Sequence, residues 1–156
     1  MVATLVAAFV AGTGAGCLPS DPYAPVAALQ DNGQIVVQPI GCPDARVKRI
    51  RIYPRRLDGD GLLDQTVPPV WQVSFASPTF VSVVAAGGAV PDGATLDVPF
   101  AGPLDPAADY IAEVMFENGA KPFVTFKPAE LHDGRVMYAD KYYGREEFER
   151  EVACKQ

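Results

Sequence analysis

Proline and glycine interrupt this chain too often for long helices to form. Fifteen prolines and fourteen glycines share 156 residues. A proline inside a helix removes a hydrogen bond and clashes with the preceding turn. From Gly33 onward, short runs of β-branched and aromatic residues alternate with turn signals, the pattern of a sandwich or barrel. "GQIVVQPIG" and "VKRIRIYPRR" open the series. In "PPVWQVSFAS", Trp71, Val73 and Phe75 face one side, and Gln72 and Ser74 the other. "TFVSVVAAGG" is apolar on both sides, as a central strand would be. "ATLDVPFAG" puts Leu96, Val98 and Phe100 on one face. "DYIAEVMFENG" turns Tyr110, Ala112, Val114 and Phe116 inward and Glu113 and Glu117 outward, and ends on the hairpin signal Asn118-Gly119. "KPFVTFKP" and "GRVMYAD" bring the count to about eight strands.

The tail "YYGREEFEREVACKQ" carries one short helical pattern. Gly144 serves as its cap, and Glu146 and Glu147 sit where the helix dipole favours negative charge. Phe148 and Val152 share a face at i, i+4. The expected fold is therefore mainly β: a single antiparallel β-sandwich, Ig-like in general architecture, over residues 33–156, with a short C-terminal helix folded back onto it.

The beginning of the chain differs. No charged residue precedes Asp21. Val2, Leu5, Val6, Phe9 and Val10 form an apolar stretch of about ten residues, half of what a membrane span needs. A short apolar stretch followed by small residues suits a secretory signal. Its last residues, Gly14-Ala15-Gly16-Cys17, resemble the lipobox of bacterial lipoproteins, which are cut before the cysteine and acylated on its thiol. The resemblance implies a signal peptide over residues 1–16, lipid attachment at Cys17 and a location on the outer face of the cell membrane. Residues 17–32 then read as attachment site and flexible tether. At no more than ~3.6 Å per residue, the tether holds the domain within about 50 Å of the membrane.

If Cys17 carries lipid, Cys42 and Cys154 remain of the three cysteines. An even number in an oxidising compartment suggests one disulfide, and two buried free thiols are the alternative. Such a bridge would close most of the domain, adding about 4–5 kcal/mol on the chain-entropy view. The arrangement as a whole also resembles small lipoproteins of high-GC Gram-positive bacteria, a likeness that favours the Cys42–Cys154 pairing.

Three features could carry chemistry. Asp58, Asp60 and Asp64 in "RRLDGDGLLD" resemble part of a calcium loop, but the pattern falls short of a complete site and equally suits a hairpin turn. Six of thirteen Lys and Arg lie between Arg46 and Arg56. Strand alternation gathers Arg49, Arg51 and Arg55 with Tyr53 on one face, opposite Ile50 and Ile52. That face is a candidate surface for lipid headgroups, an anionic wall polymer or another envelope protein. Its plainer reading is a solvated face paired with Glu113 and Glu117. His132, the only histidine, stands beside Asp133 in a turn-like "LHDG", with no nucleophile motif nearby. A net charge of −6 disfavours nucleic acid, and no cofactor motif is present. The expected function is a non-catalytic binding or interaction module held at the envelope by lipid. The alternatives are an envelope enzyme with a scattered site and a soluble, secreted calcium-binding domain.

Overall fold

The computed structural model describes residues 26–40, 45–132 and 134–152. Two five-stranded antiparallel sheets pack face to face, and the fold is a β-sandwich. The first sheet has the order β10 (Lys141–Gly144), β9 (Arg135–Tyr138), β1 (Val26–Asp31), β2 (Gln34–Pro39), β5 (Val84–Ala85). The second has the order β6 (Ala94–Val98), β4 (Trp71–Thr79), β3 (Val47–Pro54), β7 (Tyr110–Phe116), β8 (Phe123–Phe126). Helix α1 (Arg145–Glu151) follows β10, as expected, and buries Phe148. The central core joins Val26, Ala28, Val37 and Met137 of the first sheet to Ile50, Ile52, Trp71, Val73, Val114 and Phe126 of the second. The inward sets expected for β4 and β7 are buried there.

Strand β1 corrects the expected tether. Residues 26–31 are a central strand, so the fold includes chain that precedes Gly33. In "VAALQD" the apolar residues do not alternate with polar ones, because both faces are covered. Val26 and Ala28 enter the central core, while Ala27 and Leu29 join Val36, Ile40, Val136 and Phe148 beneath the helix. The hairpin to β2 turns on Asn32 (φ 48°) and Gly33 (φ 78°), a pair of left-handed residues matched to strand twist. Strand β10 is the other addition to the eight expected.

Two further readings change. "TFVSVVAAGG" is no central strand: its Thr79 ends β4, and after it only Val84–Ala85 pair, at the edge of the first sheet. The segment is apolar because it crosses between sheets and sends Val81 and Val84 into the core. In β6 a register shift pairs Leu96 with core-facing Val73 but Val98 with outward Gln72, so the expected apolar row is broken. As an edge strand, β6 leaves Leu96 39% exposed.

The ends of the sandwich are distinct. A Cβ at Gly88 would stand 3.7 Å from the Gln34 amide oxygen, and one at Gly87 would stand 3.2 Å from the Phe100 ring. The β1–β2 turn is thus at the same end as Phe100 and Trp71, where β3 finishes. Val26, Pro39 and the start of β3 at Val47 occupy the opposite end, called here the entry end.

Removing the chain through Asn32 takes away a strand that pairs on both sides. That protein is expected to show no cooperative unfolding in urea, whereas one retaining residues 23–156 unfolds in a single transition. Two equal transitions would place the domain boundary after β1.

Candidate functional site

The basic strand β3 shows how alternation and its failure arrange the charges. Ile50 and Ile52 point into the core, and Arg49, Arg51 and Tyr53 lie on the outer face of the second sheet, as expected. Cross-strand pairing sets Arg51 opposite Glu113 and Tyr53 opposite Ile111. The Glu113 carboxylate, only 2% exposed, accepts two hydrogen bonds from Arg51, Nε to Oε1 at 2.9 Å and a terminal nitrogen to Oε2 at 3.0 Å. Arg49 adds a 3.6 Å ion pair, and the Tyr53 hydroxyl donates to Oε2 at 3.5 Å. The Arg51 guanidinium stands 4.5 Å from the Tyr53 ring centre.

This arrangement alters the expected anionic-partner face. Tyr53 is fully buried with Ile111 and Val67 beneath the loop that follows β3. Arg51 is committed to Glu113. Arg55 lies beyond the end of β3, exposed, with its amide bonded to the Asp109 carbonyl. Arg49 keeps a partly exposed guanidinium whose Nε has no protein partner.

Sequence alternation also missed Lys48. Val47 and Ile50 are both buried in the core with two residues between them, where a regular strand allows one. The pairing of β3 with both β4 and β7 shifts between Val47 and Arg49. This bulge leaves Lys48 and Arg49 side by side outside the core. The broken spacing in "VKRIRI" was the available signal.

Asp58 and Asp64 serve the loop backbone. Asp58 Oδ1 accepts from the amides of Asp60 (3.0 Å) and Leu62 (2.9 Å), closing a turn bracketed by the Leu57–Leu63 bridge. Asp64 Oδ1 accepts from the Thr66 hydroxyl (2.6 Å) and amide (2.9 Å), which holds its carboxyl below the usual range. Among the described residues no group of three acidic, His or Cys side chains is placed to hold a metal. Asp58 and Asp64 thus cap turns of the loop, and Asp60 contributes its amide. His132 is exposed, and its carbonyl accepts the Arg135 amide; Asp133 lies outside the described residues. Cys17, Cys42 and Cys154 also lie outside them.

An open cleft of about 460 Å³, counting the solvent space at its mouth, lies where β5 and β6 approach each other. Trp71, Val90, Pro91, Leu96 and Phe100 are among its walls. Its lining carries no acid, base or nucleophile, so it can hold an apolar group but supplies no proton-transfer chemistry. Among the described residues, no helix is long and apolar enough to cross a membrane. Compared with protein-family models, curated proteins and solved structures, the chain matches none.

Glu113 carries the electrostatics of this face. Glu113→Ala leaves Arg51 without its counter-charge and is expected to cost about 3–5 kcal/mol in urea unfolding. Arg49→Gln, at a more exposed ion pair, is expected to cost less than about 1 kcal/mol. Equal losses would mean that the two arginines share Glu113 evenly.

Burial first, and then the Glu113 charge, raise the Tyr53 hydroxyl to about 12. Burial and the Glu130 carboxylate do the same for Tyr142. Both groups fold as neutral phenols. Their contribution to stability is intact below the unfolded pKa near 10 and is lost as pH rises through about 12. Absorbance titration is expected to show a late phenolate step that shrinks in Tyr53→Phe.

Proposed function

We propose that this protein is a lipid-anchored, non-catalytic β-sandwich module on the outer face of the cell membrane, presenting a binding surface to envelope components. The observation that carries the reading is the distance from the lipobox-like cysteine to the fold. Val26 follows Cys17 by nine residues, so the tether is shorter than the sequence suggested. At ~3.6 Å per residue it reaches about 30 Å, less than the length of a typical domain plus a loop. The module therefore works at the membrane surface. Its partners are an envelope protein or an anionic polymer that comes within that reach. A binding role is supported by the open cleft between β5 and β6, walled by Trp71, Leu96 and Phe100.

A Cys42–Cys154 disulfide fits the same compartment. Ile40 and Phe148 are buried in one cluster beneath the helix, and Val152 packs against it. Each cysteine is two residues from a member of that cluster, Cys42 after Ile40 and Cys154 after Val152. The bridge would fasten α1 over the outer face of the first sheet.

Intact mass of the membrane-extracted protein from a bacterial lipoprotein-processing host tests the anchor. The expected mature form starts at Cys17 and carries acyl mass, which Cys17→Ala abolishes. An unmodified chain starting at Met1 would overturn the reading. Peptide mapping without reductant is expected to recover the segments of Cys42 and Cys154 as one linked species. Free thiols at both positions would remove the clasp from the proposal.

A further inference from the structure

The entry end of the sandwich differs from the other end in charge and in exposed apolar surface. It gathers Arg46, Lys48 and Arg49 around the β3 bulge, with Lys121 just beyond the β7–β8 turn. Among the described residues, Glu113, bound by Arg51 and paired with Arg49, and Glu117, whose amide bonds to the Arg46 carbonyl, are the carboxylates tied to this strand start. Asp92 and Asp140 stand farther out, on the approach to β6 and in the β9–β10 turn. The opposite end carries Asp31, Asp58, Asp60, Asp64, Asp105 and Asp109 around the β1–β2 turn and the loops flanking β3 and β7, with the cations Arg55, Arg56, Lys127 and Arg135 among them. The chain as a whole has a charge of −6, so the grouping of Arg46, Lys48 and Arg49 is a local excess of positive charge.

Large apolar side chains are exposed beside these cations, Phe123 (51%) two residues after Lys121 among them. Phe80 (49% exposed) follows Thr79, the partner of Val47, and Val83 (52%) precedes Val84, the partner of Val37. Both belong to the crossing that joins the sheets at the entry end. Cations beside an exposed aromatic and an aliphatic residue are the composition of a surface that rests on anionic lipid. Leu57 and Leu62 are also exposed, but there three carboxylates, Asp58, Asp60 and Asp64, stand against the two cations Arg55 and Arg56, so the local charge is negative.

We infer that the entry end docks on the anionic phospholipid surface of the membrane, with Arg46, Lys48 and Arg49 against the headgroups and Phe80 and Val83 at the interface. The chain enters the domain at this same end, through Val26. A short tether and a docking surface at one end hold the sandwich upright, with its acidic end outward. The inference deepens the proposed function and rests on it for the nearness of the membrane. The surface contact itself is a property of the folded chain and can be tested without acylation.

The test replaces the lipid by an N-terminal hexahistidine on the chain from residue 18, held on vesicles by a nickel-chelating lipid. Binding is measured against imidazole on phosphatidylcholine vesicles with and without phosphatidylglycerol. Phosphatidylglycerol is expected to tighten retention, and high salt to cancel the gain. Lys48→Gln with Arg49→Gln should remove the gain, at about fivefold per cation lost. Phe80→Ser should weaken it while leaving the salt response. Arg55→Gln with Arg56→Gln, at the far end, should leave it intact. No gain from phosphatidylglycerol, or an equal loss in the far-end variant, overturns the inference. So does full displacement by inorganic phosphate but not by chloride of equal ionic strength, which would reveal a discrete phosphate site. Because the histidine tag supplies the attachment, absence of acylation in the host would fail the anchor reading and leave this result to stand or fall separately.

Discussion

Each sheet of this sandwich has two faces to cover, and only one can be covered by the other sheet. The need to cover the second face organises everything outside the central core. On the first sheet, Ala27, Leu29, Val36 and Val136 would meet water without α1, whose Phe148 seals them. Tyr138 and Tyr143 pack on the Phe148 ring at centroid distances of 5.7 and 6.3 Å, extending the seal. On the second sheet, the loop after β3 lays Val67 and Leu63 over Tyr53 and Ile111. The result is four layers in a chain of modest length, with many residues buried on both sides of a strand. Helix α1 has only seven residues, too short to persist alone in water, so it is held by what it covers.

The uncovered half of the second sheet solves a different problem. Glu113 sits between hydrophobic neighbours at positions 112 and 114 that face the core, and its own side chain is almost completely removed from water. A carboxylate in that position is tolerable only when paired and hydrogen-bonded. The planar Arg51 fork supplies both at once, which a lysine there could not do. The Tyr53 ring beneath the guanidinium fixes the geometry. Arg51 and Tyr53 thus belong to the sheet's internal structure, and the surplus positive charge moves to Arg49 and Lys48.

Much of this was legible in the sequence. The alternation in β4 and β7, the Asn118-Gly119 turn and the Phe148–Val152 spacing each lead directly to the observed element. What escaped has a common cause. Strand β1 reads as non-periodic because the helix covers its second face, and no local pattern announces a distant cover. Even so, Asn32-Gly33 between "VAALQ" and "QIVVQ" was a hairpin signal that extended the domain. The crossing at 80–83 looks like a buried strand because it passes between two sheets. Among the site residues, the pairing of Arg51 with Glu113 follows from strand register, which two separate sequence runs do not specify. Phe80 and Val83 carry no sequence mark of exposure, since apolar residues after a strand more often turn inward.

The bulge at Lys48 follows from the same run of residues that makes the charge. In "VKRIRI", alternation traced back from Ile52 and Ile50 would place Lys48 inward. Traced forward from Val47, it would place Arg49 inward. Either regular strand would bury a cation in a core that offers no acceptor, a cost far above that of one local kink. An extra residue at this point sends both cations outward and keeps Val47, Ile50 and Ile52 inside. The two charges therefore stand together because the core excludes both. They stand at the entry end because β3 starts there, after the crossing from β2. One steric and electrostatic constraint on the core thus fixes where Lys48 and Arg49 lie, at the end of the sandwich where β1 starts.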